Sequence, residues 1–204
     1  MILVYTPSSP FARKVCIVAH EKGLFDQLQL VECSSFADLE RVQSFNPVGK
    51  IPVLVLDDGT ALYDSTVICE YLDETGKGER LTPASGMPRW LALRGQALAD
   101  DMMAIAVGLT MEFRRPEAAR SQPAIERSRR QLMKPLAAME DDLARLPNTL
   151  AMTHISYACI LGYLDFRHSD LPWRTSHPRL SSWFDAFSER PSMQATKPQN
   201  IAPK

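Results

Sequence analysis

At 204 residues with 45% apolar content, the chain has enough hydrophobic material for one large core or two small ones, which excludes disorder as the default state. A formal net charge of −1 excludes a polyanion as the main partner, because nucleic-acid binders carry a basic excess that displaces counterions. The charge is unevenly divided: residues 1–80 hold 7 Lys/Arg against 12 Asp/Glu, and residues 81–204 hold 16 against 12, so a net −5 half precedes a net +4 half. That split points to two units, the basic one suited to drawing in a small anion.

The opening Met1-Ile2-Leu3-Val4-Tyr5 is too short for a signal-peptide core and has no basic leader, so the expected location is the cytoplasm. These residues read as an apolar strand stopped by the breakers Thr6-Pro7-Ser8-Ser9-Pro10. A helix over 10–22 should follow, with Ser9 as its cap, Pro10 at its first position and Phe11, Val15, Val18 and Ala19 at helical spacing; Gly23 ends it. Residues 27–33, with Leu28 and Leu30 alternating against their neighbours, read as a second strand, and 36–45 as a weak helix. Residues 51–56 form a compact apolar strand, Asp57-Asp58-Gly59-Thr60 a hairpin turn, and 61–63 the returning strand. Asp64-Ser65 then caps a helix with Val67, Ile68, Tyr71 and Leu72 on one face, which stops at Thr75-Gly76-Lys77-Gly78. The order so far is βαβαββα.

After a polar connector at 78–88 only helical patterns remain, over about 89–115, 124–146, 153–168 and 179–189. The change of period at one linker divides the chain into a domain at 1–80 and an all-α bundle at 88–204. The apolar stretches 102–111 and 155–164 fall well short of the ~20 residues that span a bilayer, so they read as buried core helix and no membrane is expected. Cys16, Cys33, Cys69 and Cys159 form no CxxC pair and no ligand-like group with His20, His154, His168 or His177, which points to buried thiols and no metal. The run Arg127-Ser128-Arg129-Arg130 reads as a solvated helix face.

Three features of the first domain carry chemistry. In Ser8-Ser9-Pro10-Phe11-Ala12-Arg13-Lys14 a strand feeds a helix, where unpaired N–H groups and the positive dipole end favour an anion and a serine hydroxyl can donate to it; read in isolation, a plain helix cap is the first explanation of Ser9. In Asn46-Pro47-Val48-Gly49-Lys50-Ile51-Pro52-Val53 a proline stands at the entrance of a core strand, where it cannot donate to the ladder, so Ile51 keeps polar groups to offer a ligand. In Asp64-Ser65 a hydroxyl and a backbone N–H suit a carboxylate and a carboxylate suits an ammonium, the pair of charges on an α-amino acid; again a cap is the alternative.

Taken together, S-P-F-x-R-K, N-P-x-G-K-I-P-V-L and D-S-x-x-I-x-x-Y-L resemble the cytosolic glutathione transferases, in particular bacterial serine-type members. The likeness extends to His177-Pro178-Arg179-Leu180-Ser181-Ser182-Trp183 and Glu189-Arg190-Pro191-Ser192, which look like that family's final helices. The resemblance implies a thioredoxin-like N-terminal domain with a mixed four-stranded sheet, and glutathione as co-substrate. It implies that Ser9 faces the sulfur, with Ser8 as its rival; that Ile51 pairs through its backbone with the cysteinyl moiety before a cis-Pro52; that Asp64 and Ser65 hold the γ-glutamyl end; and that Lys50 lies near the glycyl carboxylate. Phe11 joins the glutathione-site candidates.

The implied activity is attack of the glutathione thiolate on small hydrophobic electrophiles, a detoxification chemistry, with peroxide reduction as a side activity and a homodimer as the assembly. The electrophile pocket is expected between the domains, with Phe11, Met103, Met111 and Phe113 as candidates, although a Met-rich helix face reads first as core. Two departures stand out: Asp64 where the family often has Glu, and Thr153-His154-Ile155-Ser156 where it usually has a Ser/Thr-x-x-Asp capping box. A thiol reductase is disfavoured because position 9 holds serine and Cys16 lies about two turns into the helix. The fold also serves as a non-catalytic interaction module, the other reading carried forward.

Overall fold

The structure, a computed structural model, describes residues 1–34, 37–146 and 148–200. It divides into two compact units, Met1–Thr82 together with Pro191–Lys204, and Pro83–Arg190.

The first unit is built on a four-stranded sheet: β1 (Ile2–Tyr5), β2 (Gln29–Glu32), β3 (Val53–Val55) and β4 (Ala61–Leu62) lie in the order β2-β1-β3-β4. β1 runs parallel to β2 and antiparallel to β3, and β3 runs antiparallel to β4, so the sheet is mixed as expected. Leu3, Val4, Val53 and Leu54, on the two central strands, are fully buried, since side chains of both faces have cover there. The strand expected over 51–56 is trimmed to Val53–Val55; Pro52 has no N–H for the ladder, which begins at the Val4–Val53 pair.

Helix α1 (Pro10–Glu21) starts at the Ser9 cap with proline at its first position and is buried along most of its length. α2 (Leu39–Gln43) is shorter than the helix read over 36–45, whose first residue lies outside the described residues. α3 (Ser65–Thr75) begins at the Asp64 cap and packs on α1. Its buried face is Ser65, Ile68, Cys69, Leu72 and Asp73, whereas Val67, expected with them, is 47% exposed. The reason is angular: Val67 stands a third of a turn from Ile68 and away from the 65-68-69-72 stripe that meets α1. Behind α3, Lys22 and Asp73 form a buried ion pair (3.1 Å). Asp73 also accepts from the Leu81 and Thr82 N–H groups, and Lys22 Nζ donates to the Glu79 carbonyl, which seals the chain end of this unit.

The second unit contains α4 (Gly86–Arg114), α5 (Gln122–Met133), α6 (Leu136–Leu143), α7 (Met152–Arg167), α8 (Trp173–Ser176) and α9 (Pro178–Ser188). α7 packs on α4 and is buried at every residue from Met152 to Leu164, the core helix its composition predicts. Met103 is likewise fully buried, as the reading of a Met-rich helix face as core predicts. The single helix read over 124–146 is two, because Pro135 can supply no N–H to continue the ladder beyond Lys134. Arg129 and Arg130 of the basic run pair with Asp170 (2.6 Å) and Glu126 (3.9 Å) at the surface. All four cysteines are buried and none is in a disulfide. Among the described residues no helix is long and apolar enough to cross a membrane.

The start of α7 corrects the capping box. The cap residue is Ala151, not Thr153, so His154 occupies the third helical position. Its Nδ1 accepts from the Ala151 N–H (3.1 Å), which is the returning half of such a box, while alanine has no side-chain acceptor for the other half. Thr153 instead donates to the Ala92 carbonyl of α4 (3.3 Å). Burial, then the Arg190 charge, holds the His154 imidazole below its usual pKa, consistent with a ring that accepts rather than donates at Nδ1.

The sequence reading gave residues 88–204 to the helical unit, but a last helix, α10 (Pro191–Ala195), packs along α1 and belongs with the first unit. The cause is in α1 itself, whose buried Arg13 donates to the Met193 carbonyl (3.3 Å).

Candidate functional site

Strand directions gather the expected residues of the first unit at one end of the sheet. β1 and β4 end there and β3 begins there, so the turn after β1, the approach to β3 and the start of α3 converge. α1 and α3 both open at this end, each presenting the unpaired N–H groups and partial positive charge of a helix N-terminus.

Ser8 and Ser9, adjacent in sequence, have different roles here. Thr6 to Ser9 form a tight turn closed by Ser9 N–H to the Thr6 carbonyl (3.0 Å), which leaves Ser8 in the turn and Ser9 at the head of α1. Ser9 Oγ accepts from the Ala12 N–H (3.3 Å). A hydroxyl that accepts through a lone pair still has its proton to give, so capping and donation to a sulfur anion are compatible and the two readings of Ser9 merge. Accepting from a positively polarised N–H also makes the hydroxyl a better donor. The turn is tethered from below, where the Thr6 hydroxyl donates to the Cys33 carbonyl past the end of β2. Phe11, at the second helical position, is half-buried.

Opposite this turn the Ile51–Pro52 peptide bond is cis, the geometry the resemblance implies. The loop before it is organised by residues whose role the motif contained but its reading did not extract. Asn46, only 4% exposed, donates from Nδ2 to the Lys50 carbonyl (2.9 Å) and accepts at Oδ1 from the Val48 N–H (3.1 Å). Gly49 donates to the Asn46 carbonyl (2.7 Å) at φ +73°, and a Cβ on it would lie 2.5 Å from Leu39 Cδ1. Asn at the first and Gly at the fourth place of a turn was the signal that identifies both. Ile51 is half-buried and Pro52 buried, and Lys50 is exposed.

At the third point, Asp64 Oδ1 accepts from the Thr66 N–H (2.9 Å) as the cap of α3. Asp64 itself is exposed and Ser65 is 3% exposed. One carboxylate oxygen is thus occupied by the helix, while the group remains open to solvent and to a cation. Tyr5, the last residue of β1, is set apart from acid-base work: burial first, then Cys16 and Glu32, raises its pKa, so the phenol stays protonated. Among the described residues no three His, Cys, Asp or Glu side chains are placed to hold a metal ion.

Comparison with known proteins follows the same division. The glutathione S-transferase N-terminal domain family matches residues 8–75 and its C-terminal domain family matches residues 122–186. The uncharacterized GST-like protein YibF of Escherichia coli strain K12 is 31% identical over 97% of this chain and 98% of its own. The chain belongs to the glutathione transferase superfamily. Among solved structures, a glutathione transferase family member from Pseudomonas fluorescens Pf-5 with bound glutathione is 40% identical, covering 98% of this chain and 99% of its own, with a TM-score of 0.93. A structure from the same organism with bound S-(propanoic acid)-glutathione is also 40% identical, covering 98% and 100%, with a TM-score of 0.89. This transferase fold comprises a thioredoxin-like unit with its mixed sheet and a helical unit, as the resemblance implied.

Proposed function

We propose that the protein is a serine-type glutathione transferase in which the Ser9 hydroxyl stabilises the glutathione thiolate for attack on a small hydrophobic electrophile. The observation that carries this reading is the Ser9 side chain itself, which caps α1 as an acceptor and keeps a proton for the sulfur, at the sheet end that also holds cis-Pro52 and the Asp64-Ser65 cap. The magnitudes suffice. A thiol of pKa near 8.5 needs about 2.7 kcal/mol in favour of its anion to ionise about two units lower. A hydrogen bond to a charged group contributes about 1.5–3 kcal/mol and a partly buried helix N-terminus up to about 2 kcal/mol. Neither a metal nor a general base is required.

In this reading the Ile51 backbone pairs with the cysteinyl moiety, Asp64 and Ser65 receive the ammonium and carboxylate of the γ-glutamyl end, and Lys50 meets the glycyl carboxylate. Ser8 and Phe11 complete the glutathione contacts. The relatives that hold glutathione and its S-(propanoic acid) conjugate support both a substrate and a thioether product in such a site. Exposed apolar side chains, Tyr63 and Val67 on the first unit and Met87, Trp90 and Leu91 on the second, are surfaces that a second copy would cover in a homodimer.

The test is spectroscopic. Isothermal titration should show glutathione binding, and the thiolate absorbance of the bound tripeptide should titrate one to two pH units higher in a Ser9→Ala protein than in the parent, as the loss of about 1.5–3 kcal/mol requires. An unshifted titration removes Ser9 from the chemistry. A parent that ignores glutathione, or binds it yet turns over no electrophile in a broad screen, favours the non-catalytic module instead.

A further inference from the structure

We infer that Arg13 and the backbone of residues 193–199 form a positioning device for the Ser9 hydroxyl, an inference that rests on the reading of Ser9 just given. The segment after α9 returns to the first unit and touches α1 and its approach at three points. The Ser192 hydroxyl donates to Glu21 Oε1 (2.5 Å) at the far end of α1. Arg13 Nη2 donates to the Met193 carbonyl (3.3 Å) one turn from the helix start. The Gln199 N–H reaches the Pro7 carbonyl (3.5 Å) in the turn before the helix. Ser192 and Met193 are 4% and 1% exposed, so this contact is packed as interior.

Ser9 sits between the two inner points. Its N–H donates to Thr6, its carbonyl accepts from the Arg13 N–H (3.0 Å) and its hydroxyl accepts from Ala12. Residue 7 is therefore held on one side of Ser9 and residue 13 on the other, by the same distant segment. Arg13 is only 7% exposed, and a guanidinium is costly to bury unless its donors are engaged. A long cation so placed ties the first turn of α1 to a buried neighbour. A hydrogen bond to a sulfur anion needs that kind of fixing, since its strength falls steeply with angle and with a few tenths of an ångström.

The test compares thiol ionisation with stability in the full chain, using glutathione as the probe. In Arg13→Met, which keeps the length and loses the donors, the thiolate absorbance of bound glutathione should titrate about one pH unit higher, a roughly tenfold smaller ionisation constant. Gln199→Pro, which removes a single backbone N–H on an exposed residue, should shift it by about half a unit, roughly threefold in the same constant. Arg13→Lys, which retains a cationic donor, should fall between Arg13→Met and the parent. A purely packing role would lower the melting temperature and leave the ionisation profile in place, and that result in both Arg13→Met and Gln199→Pro overturns the inference. If Arg13→Met does not fold, the Gln199→Pro profile decides alone. The two readings fail differently: an unshifted Ser9→Ala protein overturns the reading of Ser9 and this inference with it, whereas a shifted Ser9→Ala protein beside unshifted Arg13 and Gln199 variants overturns the inference only.

Discussion

Two helix starts in this molecule solve one physical problem with different chemistry. α1 and α7 each open with N–H groups that have no partner in the helix. At α1 a serine hydroxyl accepts from Ala12 and keeps a proton to give away; at α7 the imidazole of His154 accepts from Ala151 and is stacked against Trp183 and Phe187 in the second unit. The first arrangement faces the end of the sheet that also holds cis-Pro52 and the Asp64 cap, and the second is 9% exposed. A cap is thus a functional group only where its remaining valence points at something other than protein, and residue type alone does not decide which case applies.

The largest effect should come from separating the two jobs of Ser9. Aspartate caps a helix as well as serine does and suits the positive dipole end, so a Ser9→Asp protein should keep its stability within about 1 kcal/mol. It has no proton to donate at neutral pH and sets a carboxylate beside the sulfur, so the thiolate fraction of bound glutathione at pH 6.5 should fall at least about a hundredfold. Thermal unfolding alongside thiolate absorbance measures both. If ionisation survives in Ser9→Asp, the N–H groups and dipole of α1 act without the hydroxyl, and the contrast with α7 disappears.

The converse holds at α7. His154→Ala removes the acceptor for the Ala151 N–H and the ring stacked on Trp183 and Phe187, and should cost about 2–3 kcal/mol of stability with glutathione affinity unchanged. Urea unfolding and isothermal titration together read that pattern. A loss of affinity instead of stability would show that the second helix start serves the ligand too.

A smaller effect tests whether backbone alone shapes the ligand end. Gly49→Ala forces a side chain into a positive-φ position and against Leu39, at about 1–2 kcal/mol, and moves the loop that leads to cis-Pro52. Glutathione affinity should drop several-fold by titration while thiol ionisation in the saturated protein stays near the parent's, because Ser9 is untouched.

How far the sequence could be read follows from the same distinction. The βαβαββα order, the Ser9-Pro10 and Asp64 caps and the hairpin at Asp57–Thr60 are local features, each specified by a few neighbouring residues, and they were legible. Three features were not, because they depend on partners far along the chain. Val67 continues an apolar pattern but faces outward, since burial on α3 is set by where α1 lies. The box at α7 starts at Ala151, a residue with no capping signature, and only the His154 ring reveals it. Arg13 reads as an ordinary charged helix residue until residues 191–200 return to cover it. At the site, chain order supplied Ser9, Pro52 and Asp64, while sheet direction was needed to bring them to one end.

The smallest effect distinguishes the two helix starts by pH. Burial first, and then the Arg190 charge, lowers the pKa of His154 in the folded chain below its value near 6.5 in the unfolded one. Below about pH 6.5 the unfolded chain therefore binds more protons, so stability is complete above that value and is lost as pH falls toward the folded pKa. His20 and His168, both lowered chiefly by burial, act in the same direction, so His154 supplies only part of the parent's acid limb. His154→Gln keeps an acceptor at the third helical position, where glutamine serves capping boxes, but cannot titrate. Its stability should depend less steeply on pH between about 5 and 6.5 than the parent's, by urea unfolding at a series of pH values, while the thiolate titration of bound glutathione stays where it was. An acid limb identical to the parent's would mean that His154 opens to water before it protonates, and the α7 start would then be as accessible as the start of α1.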